Sequence, residues 1–298
     1  VAAKRRPPAG HAVQLALVPR PDLRWPQARL AEGGPWIIAQ PALLDALAAL
    51  HGTHPRLGER LQPQLGVKTG ANAVFLDPPP GIEPALVRLA LRGRDLRPFG
   101  RGSGVRLLFA HGSDGAAYSR LPESAARYLR PHEAVLRARV DFDGGPPWTL
   151  FRVRPTLAPH RVAWADLARR LTAVALTGPV DARLVPLNTC YLLAAPDRMA
   201  ALALSAWLNS TWLRVAARAA ADVAANGFAR FNARVVAALP LPPGVLTDGA
   251  LAALAERGAS GAPVQEEIDA RVALYLALAP ATQSALARAP GAGADHRG

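Results

Sequence analysis

The residues best suited to chemistry lie in one polar, glycine-bounded stretch, Gly66-Val67-Lys68-Thr69-Gly70-Ala71-Asn72, which runs into the apolar Ala73-Val74-Phe75-Leu76. Glycines let a backbone turn tightly and approach a partner closely, while Lys68, Thr69 and Asn72 offer hydrogen bonds to it. By composition this is a binding loop. A second stretch, Leu91-Arg92-Gly93-Arg94-Asp95-Leu96, sets two planar guanidinium forks beside a carboxylate that can hold one in place, which is the chemistry of guanine or phosphate contact. The same residues would also serve as an Arg-Asp surface pair on a helix end. A third, Asn226-Gly227-Phe228-Ala229-Arg230-Phe231-Asn232, places Arg230 and Asn232 to point outward while Phe228 and Phe231 enter the core.

Patterns that mimic other sites fail on their own residues. A phosphate-binding loop around Lys68-Thr69 needs glycines where Gln62 and Val67 stand. An acid-x-Lys nuclease centre needs a carboxylate two places before a lysine, and Lys4 and Lys68 follow Ala2 and Gly66. Gly100-Arg101-Gly102-Ser103-Gly104 resembles a cofactor loop, yet its flanks are polar upstream and strand-like at Val105-Arg106-Leu107-Leu108-Phe109, with no helix leaving it. His51 and His54 have metal-like spacing without an accompanying carboxylate or cysteine, so a surface turn is expected. Asp141-Phe142-Asp143-Gly144-Gly145 opens like a calcium loop, but Arg152 stands where its closing glutamate belongs.

Read in order, the pattern G-V-K-T-G-x-N-x-x-F resembles the opening signature of the target-recognition region that follows the catalytic domain in TaqI-like adenine-specific DNA methyltransferases and the related type IIG restriction-modification enzymes. Further matches to that region come in the same order: Leu91 to Leu96, Leu208-Asn209-Ser210 with Gly227-Phe228-Ala229-Arg230-Phe231, and Leu239-Pro240-Leu241-Pro242. The resemblance runs from about Trp25 to Pro243, with a fainter echo at residues 268–276. It implies double-stranded DNA as partner, with Lys68, Thr69, Asn72, Arg92, Arg94, Asn209, Arg230 and Asn232 as DNA-binding residues. It also implies a methyltransferase catalytic domain or subunit as second partner, holding S-adenosylmethionine, with no cofactor and no catalytic residue in this chain. Adenine methyltransferases use a polar residue, two prolines and an aromatic that stacks on the flipped base; in Asp77-Pro78-Pro79-Pro80 the last residue has no π face, and a proline turn is expected there. Two alternatives stay open: a divergent complete methyltransferase using Asp77 to Pro80 and the Gly100 to Gly104 loop, and a non-specific basic nucleic-acid-binding protein.

The bulk properties agree with a polyanion as partner. The 298-residue chain carries a formal net charge of +13, with 35 basic and 22 acidic residues. Its pI is near 11.3. A surface that basic attracts nucleic acid first and acidic membrane second. Lys4 and Lys68 are its lysines, so nearly all the positive charge is arginine. The single cysteine, Cys190, lies in the apolar run from Leu187 to Ala195 and is expected to be a core thiol. The first residues are basic without an apolar stretch behind them, so no signal peptide is read; the apolar segment 199–225 is interrupted by Asn209, Arg214, Arg218 and Asp222, and a buried helix rather than a membrane span is expected, in a cytoplasmic protein.

The elements that must position these residues give an α+β protein, a mixed strand-and-helix recognition domain followed by a helical C-terminal part. Residues 1–24 read as a basic flexible linker with a possible strand at Val13 to Leu17, residues 25–245 as the target-recognition domain, and residues 246–298 as C-terminal helices and a disordered tail from Pro290. Periodicity predicts Trp36-Ile37-Ile38 and a helix over 41–50 with Leu43, Leu44, Leu47 and Leu50 on one face. It further predicts a strand entering at Ala73, a helix over 84–91, a strand over 105–110, a helix over 124–139 interrupted by Pro131, and a strand over 148–153. Residues 164–176 read as a short helix or strand pair and 188–195 as a buried strand. One long helix over 197–225 would be stopped by Asn226-Gly227, with further helices over 250–257 and 265–278.

Overall fold

The computed structural model describes residues 12–17, 20–26, 41–290 and 292. Trp36-Ile37-Ile38, residues 1–11 of the linker and residues 293–298 of the tail lie outside them. The architecture is α+β. Strands β1 (Ala12–Leu17) and β2 (Arg20–Pro26) pair as an antiparallel hairpin in the segment expected to be linker. Helix α1 (Pro41–His51) follows its leucine spacing, burying Leu47 and Leu50 and exposing Ala48 and Ala49.

Next come β3 (Gln64–Leu65), α2 (Asn72–Phe75), β4 (Val87–Leu91), β5 (Leu96–Arg97), β6 (Gly100–Arg101) and β7 (Val105–Leu108). They are followed by α3 (Glu123–Leu129), α4 (Glu133–Arg137), β8 (Arg161–Ala165), β9 (Leu167–Ala168), β10 (Ala173–Leu176), β11 (Leu184–Pro186) and β12 (Cys190–Ala194). The two larger sheets form from them. One is antiparallel in the order β10-β8-β12-β3, with Tyr191 opposite Trp164 on one side and Leu65 on the other. The other has the order β11-β4-β7, with β11 parallel to β4. Alternation along β8 explains how they stack, because successive side chains point to opposite faces. Val162 and Trp164 enter the core beneath the helices, whereas Ala163 joins Leu91, Leu184, Cys190 and Leu192 between the sheets.

The C-terminal half comprises α5 (Arg198–Asn209), α6 (Thr211–Ala220), β13 (Asp222–Val223), β14 (Ala229–Arg230), α7 (Ala233–Ala237), α8 (Gly249–Ala259), α9 (Gln265–Tyr275) and α10 (Pro280–Ala287). Helix α5 is buried all round from Ala200 to Asn209, lying between the first sheet and α8. Helix α10 packs on α1, which closes the chain on itself. Among the described residues no helix is long and apolar enough to cross a membrane.

Several sequence expectations are corrected. Residues 84–91 are a short 3-10 turn and strand β4, not a helix; Val-Arg-Leu-Ala-Leu suits either period, and the central position in a sheet decides. Residues 73–75 belong to α2 rather than to a strand, and only Leu76 is extended, in an isolated antiparallel bridge to Leu107. Residues 148–153 are not a strand; Phe151 exchanges two backbone hydrogen bonds with Lys68, at 2.9 and 3.1 Å. The long helix ends at Asn209: Ser210 is extended, its Oγ accepts the Leu213 N–H (3.3 Å), and Asp269 accepts the Thr211 N–H (2.7 Å), so a new helix starts there with its amides satisfied. Asn226 and Gly227, at φ of 58 and 77°, form the tight turn of the β13–β14 hairpin instead of a helix cap.

One buried titratable group ties the fold to pH. His111 is 2% exposed, and its Nε2 accepts the Leu150 N–H at 3.1 Å. Burial first and the charge of Arg88 second lower it to about 4 from its ordinary 6.5. The native ring is therefore neutral where the unfolded ring is charged. Stability is fully present above pH 6.5 and falls as pH drops from 6.5 towards 4, by up to about 3 kcal/mol from this group. Denaturant unfolding at pH 7.5 and 4.5 should show that loss in the wild type, and His111→Gln, whose amide oxygen reaches the Nε2 position and retains an acceptor for Leu150, should lose about 3 kcal/mol less.

Candidate nucleic-acid interface

The site is built on the turn that joins β11 to β12. Two distant loops are hydrogen-bonded to it from opposite sides. The Gly66 and Val67 N–H groups donate to the Cys190 and Pro186 carbonyls (both 2.9 Å), and the Asn188 N–H returns to the Val67 carbonyl (2.9 Å). On the other side the Leu187 N–H donates to the Leu91 carbonyl (2.9 Å), and the Gly93 N–H to Thr189 Oγ1 (3.0 Å). Both glycines are required by close approach. A Cβ on Gly66 would fall inside van der Waals contact of the Leu187 carbonyl oxygen and 2.5 Å from that of Pro186; one on Gly93 would lie 2.8 Å from the Thr189 carbonyl oxygen.

Strand β14 completes the site through β9 and the residue before it. The Asp166 N–H donates to the Thr189 carbonyl (2.9 Å), the Phe231 N–H donates to the Asp166 carbonyl (2.6 Å), and Trp164 Nε1 donates to the Phe231 carbonyl (2.8 Å). The result is an open cavity of about 490 Å³ lined by Arg92, Gly93, Arg94, Asp166, Leu167, Asn188, Thr189 and Arg230. Three of the predicted residues, Arg92, Arg94 and Arg230, thus meet across nearly half the chain. Asp95 does not hold a guanidinium as expected; its carboxylate accepts the Arg92 backbone N–H (2.8 Å) and so fixes the loop. Arg92 and Arg94 make no ion pair among the described residues. Arg230, half-exposed, pairs with Asp166.

The Gly66 to Asn72 loop lies beside this cavity. Lys68 pairs with Asp141, whose carboxyl is held below its ordinary value by the Lys68 hydrogen bond first, then by the Lys68, Arg152 and Arg139 charges. Thr69 is buried: its hydroxyl donates to Asn72 Oδ1 (2.5 Å) and its carbonyl accepts Arg139 Nη1 (2.6 Å). Asn72 is exposed at the start of α2. Tyr191, stacked on Trp164 with ring planes 16° apart, links the two parts; burial and then Asp166 push its hydroxyl up, with Arg230 and Arg152 opposing.

Two predicted residues lie elsewhere in role. Asn209 is wholly buried, exchanging hydrogen bonds with the Ala173 backbone (3.0 and 2.7 Å) and accepting from Arg214 (3.2 Å), so its amide is committed to the core. Asn232 caps α7 through the Val235 N–H (3.1 Å). The sequence reading missed Asp166, Leu167, Asn188 and Thr189. Asn188-Thr189 is a polar pair between two apolar runs, which signals a turn, but nothing local marks it as the meeting point. Among the described residues no three His, Cys, Asp or Glu side chains are grouped to hold a metal. Gly100-Arg101 is strand β6 of a hairpin with β5, so no helix N-terminus faces that loop. Cys190 is buried, with its thiol pushed up to about 12 by burial.

No family model matches this chain, and no curated protein matches it. Among solved structures it is similar to the type IIL restriction-modification enzyme MmeI in complex with DNA, at 10% identity and a TM-score of 0.46, over 83% of this chain and 34% of that one. The chain thus spans about a third of that protein's length.

The convergence rests on backbone contact, and that is measurable. Gly66→Ala should lower unfolding free energy by about 1–3 kcal/mol through overpacking. Gly249→Ala, where a Cβ meets nothing within 4 Å, should change it by less than about 0.5 kcal/mol in the same denaturant titration.

Proposed function

We propose that this chain is the sequence-specific double-stranded DNA recognition part of an adenine-specific DNA methyltransferase of the restriction-modification type, TaqI-like or type IIG. Methyl transfer from S-adenosylmethionine would be done by a separate catalytic domain or subunit. The observation that carries this reading is the convergence of Arg92, Arg94 and Arg230 on one open cavity, with the Lys68 loop alongside. Those are the side chains of three separate stretches that resemble the target-recognition region, brought together by pairings remote in sequence.

The chemistry of the cavity suits a duplex. Planar guanidinium forks without acidic partners can bond guanine N7 and O6 in the major groove, and the surrounding arginines can take phosphates. Exposed Asn188 and Asn72 have amides of the kind that pair with adenine. Phosphate contacts would supply salt-dependent affinity and base contacts the discrimination.

Retention of a randomised duplex pool by the purified chain at two salt concentrations, followed by sequencing, tests the reading. Enrichment of one short motif is expected. Salt-sensitive retention with no motif would leave only a basic surface and overturn it, and S-adenosylmethionine binding by the chain alone would point to a complete methyltransferase. Arg94→Ala should relax one position of the motif by about 1–3 kcal/mol of discrimination. An equal loss for every sequence would make Arg94 a phosphate contact.

A further inference from the structure

The cavity holds one feature that a pure phosphate or guanine site would not need. Asp166 stands among three arginines, and its two carboxylate oxygens are used unequally. Oδ2 accepts from Arg230 Nη1, whereas Oδ1 is buried and has no hydrogen-bond partner. Oδ1 is closed to solvent and so to any ligand; the carboxylate can be reached only at Oδ2, which keeps a lone pair beyond the one that Arg230 uses. The residue is also held still. Its N–H donates to Thr189 and its carbonyl accepts from Phe231, so the backbone on both sides of the side chain is pinned to neighbouring strands. The carboxylate is 14% exposed, and burial raises its proton affinity while Arg230 opposes that. The group is thus a preorganised acceptor lining a cavity otherwise rich in donors.

We propose that Asp166 is a specificity-determining residue that accepts a hydrogen bond from the exocyclic amine of a cytosine whose paired guanine is read by Arg92 or Arg94. This rests on the recognition reading above. In the major groove a G·C pair presents two neighbouring acceptors, N7 and O6, and then one donor, the cytosine N4 amine. The cavity presents the matching set: guanidinium donors and one fixed acceptor. A thymine in place of the cytosine would set its O4 acceptor against the carboxylate, leaving two acceptors facing each other. Phosphate would be repelled by the same group, which favours a base edge over the backbone at this point. Leu167, exposed on the cavity wall next to Asp166, offers an apolar surface to the C5 side of a pyrimidine.

A cycle combining a change in the protein with a change in the DNA tests this. After selection of the wild-type motif, each cytosine in it is replaced in turn by a 2-pyrimidinone nucleoside, which lacks the amine, and affinities are measured by fluorescence anisotropy. At one position the wild type should bind the amine-deleted duplex about 5- to 100-fold more weakly. Asp166→Ala should bind both duplexes equally and lose its preference at that position alone. A wild type indifferent to amine deletion at every cytosine overturns the proposal without reference to the variant, as does an Asp166→Ala protein that keeps the full cytosine preference. If the wild type enriches no motif, the recognition reading itself fails, an outcome distinct from either of these.

Discussion

The arrangement depends on one constraint: the turn between β11 and β12 must be reached by backbone from both sides. Gly66-Val67 lies on one flank and Leu91 to Gly93 on the other, each within hydrogen-bonding distance of main-chain or Thr189 atoms of the turn. Such contact leaves no room for a Cβ at Gly66 or Gly93. The two glycines that mark the motifs are therefore explained by packing before any ligand is considered. Because the loops are fixed through their backbones, their side chains are free to face outward, and Arg92 and Arg94 do so.

Buried arginines hold the surrounding loops. Arg139 donates to the carbonyls of Leu136, Thr69 and Pro147 at 2.6–2.7 Å, and its guanidinium lies 4.7 Å from the Phe151 ring centre. Arg161 donates to the carbonyls of Thr156, Leu184 and Asp181. Arg214 joins Leu171, Gln265 and Asn209. A rigid fork with several donors can satisfy carbonyls of loops that no sheet or helix would pair, which a lysine could not do. Burial lowers Arg161 to about 10, still charged at neutral pH. In a chain with so few lysines, part of the arginine content is thus structural, and net charge alone overstates the basic surface.

The acids near the candidate interface divide its cations into two kinds. Lys68 and Arg230 each form an ion pair, with Asp141 and Asp166, while among the described residues Arg92 and Arg94 form none. Paired cations are oriented and their field is damped; unpaired ones at a cavity mouth keep donors directed at a ligand. A surface made only for charge would gain nothing from Asp166, whereas a surface that compares partners gains a group that repels the wrong one.

The sequence by itself determined the α+β class, α1, the strands over 105–108 and 190–194, the burial of Cys190, and the stretches that hold Lys68, Arg92, Arg94 and Arg230. These follow from local periodicity, glycine placement and residue type, which do not need distant contacts. The tertiary structure alone decided that β4 is a strand, because its apolar pattern fits both periods and only its sheet neighbours choose. It alone turned Asn226-Gly227 into a hairpin turn, since Ala229 and Arg230 found β9 to pair with. It moved Asn209 into the core and brought Asp166, Asn188 and Thr189 to the cavity, because each of those assignments depends on hydrogen bonds between residues tens of positions apart, which no local spacing encodes.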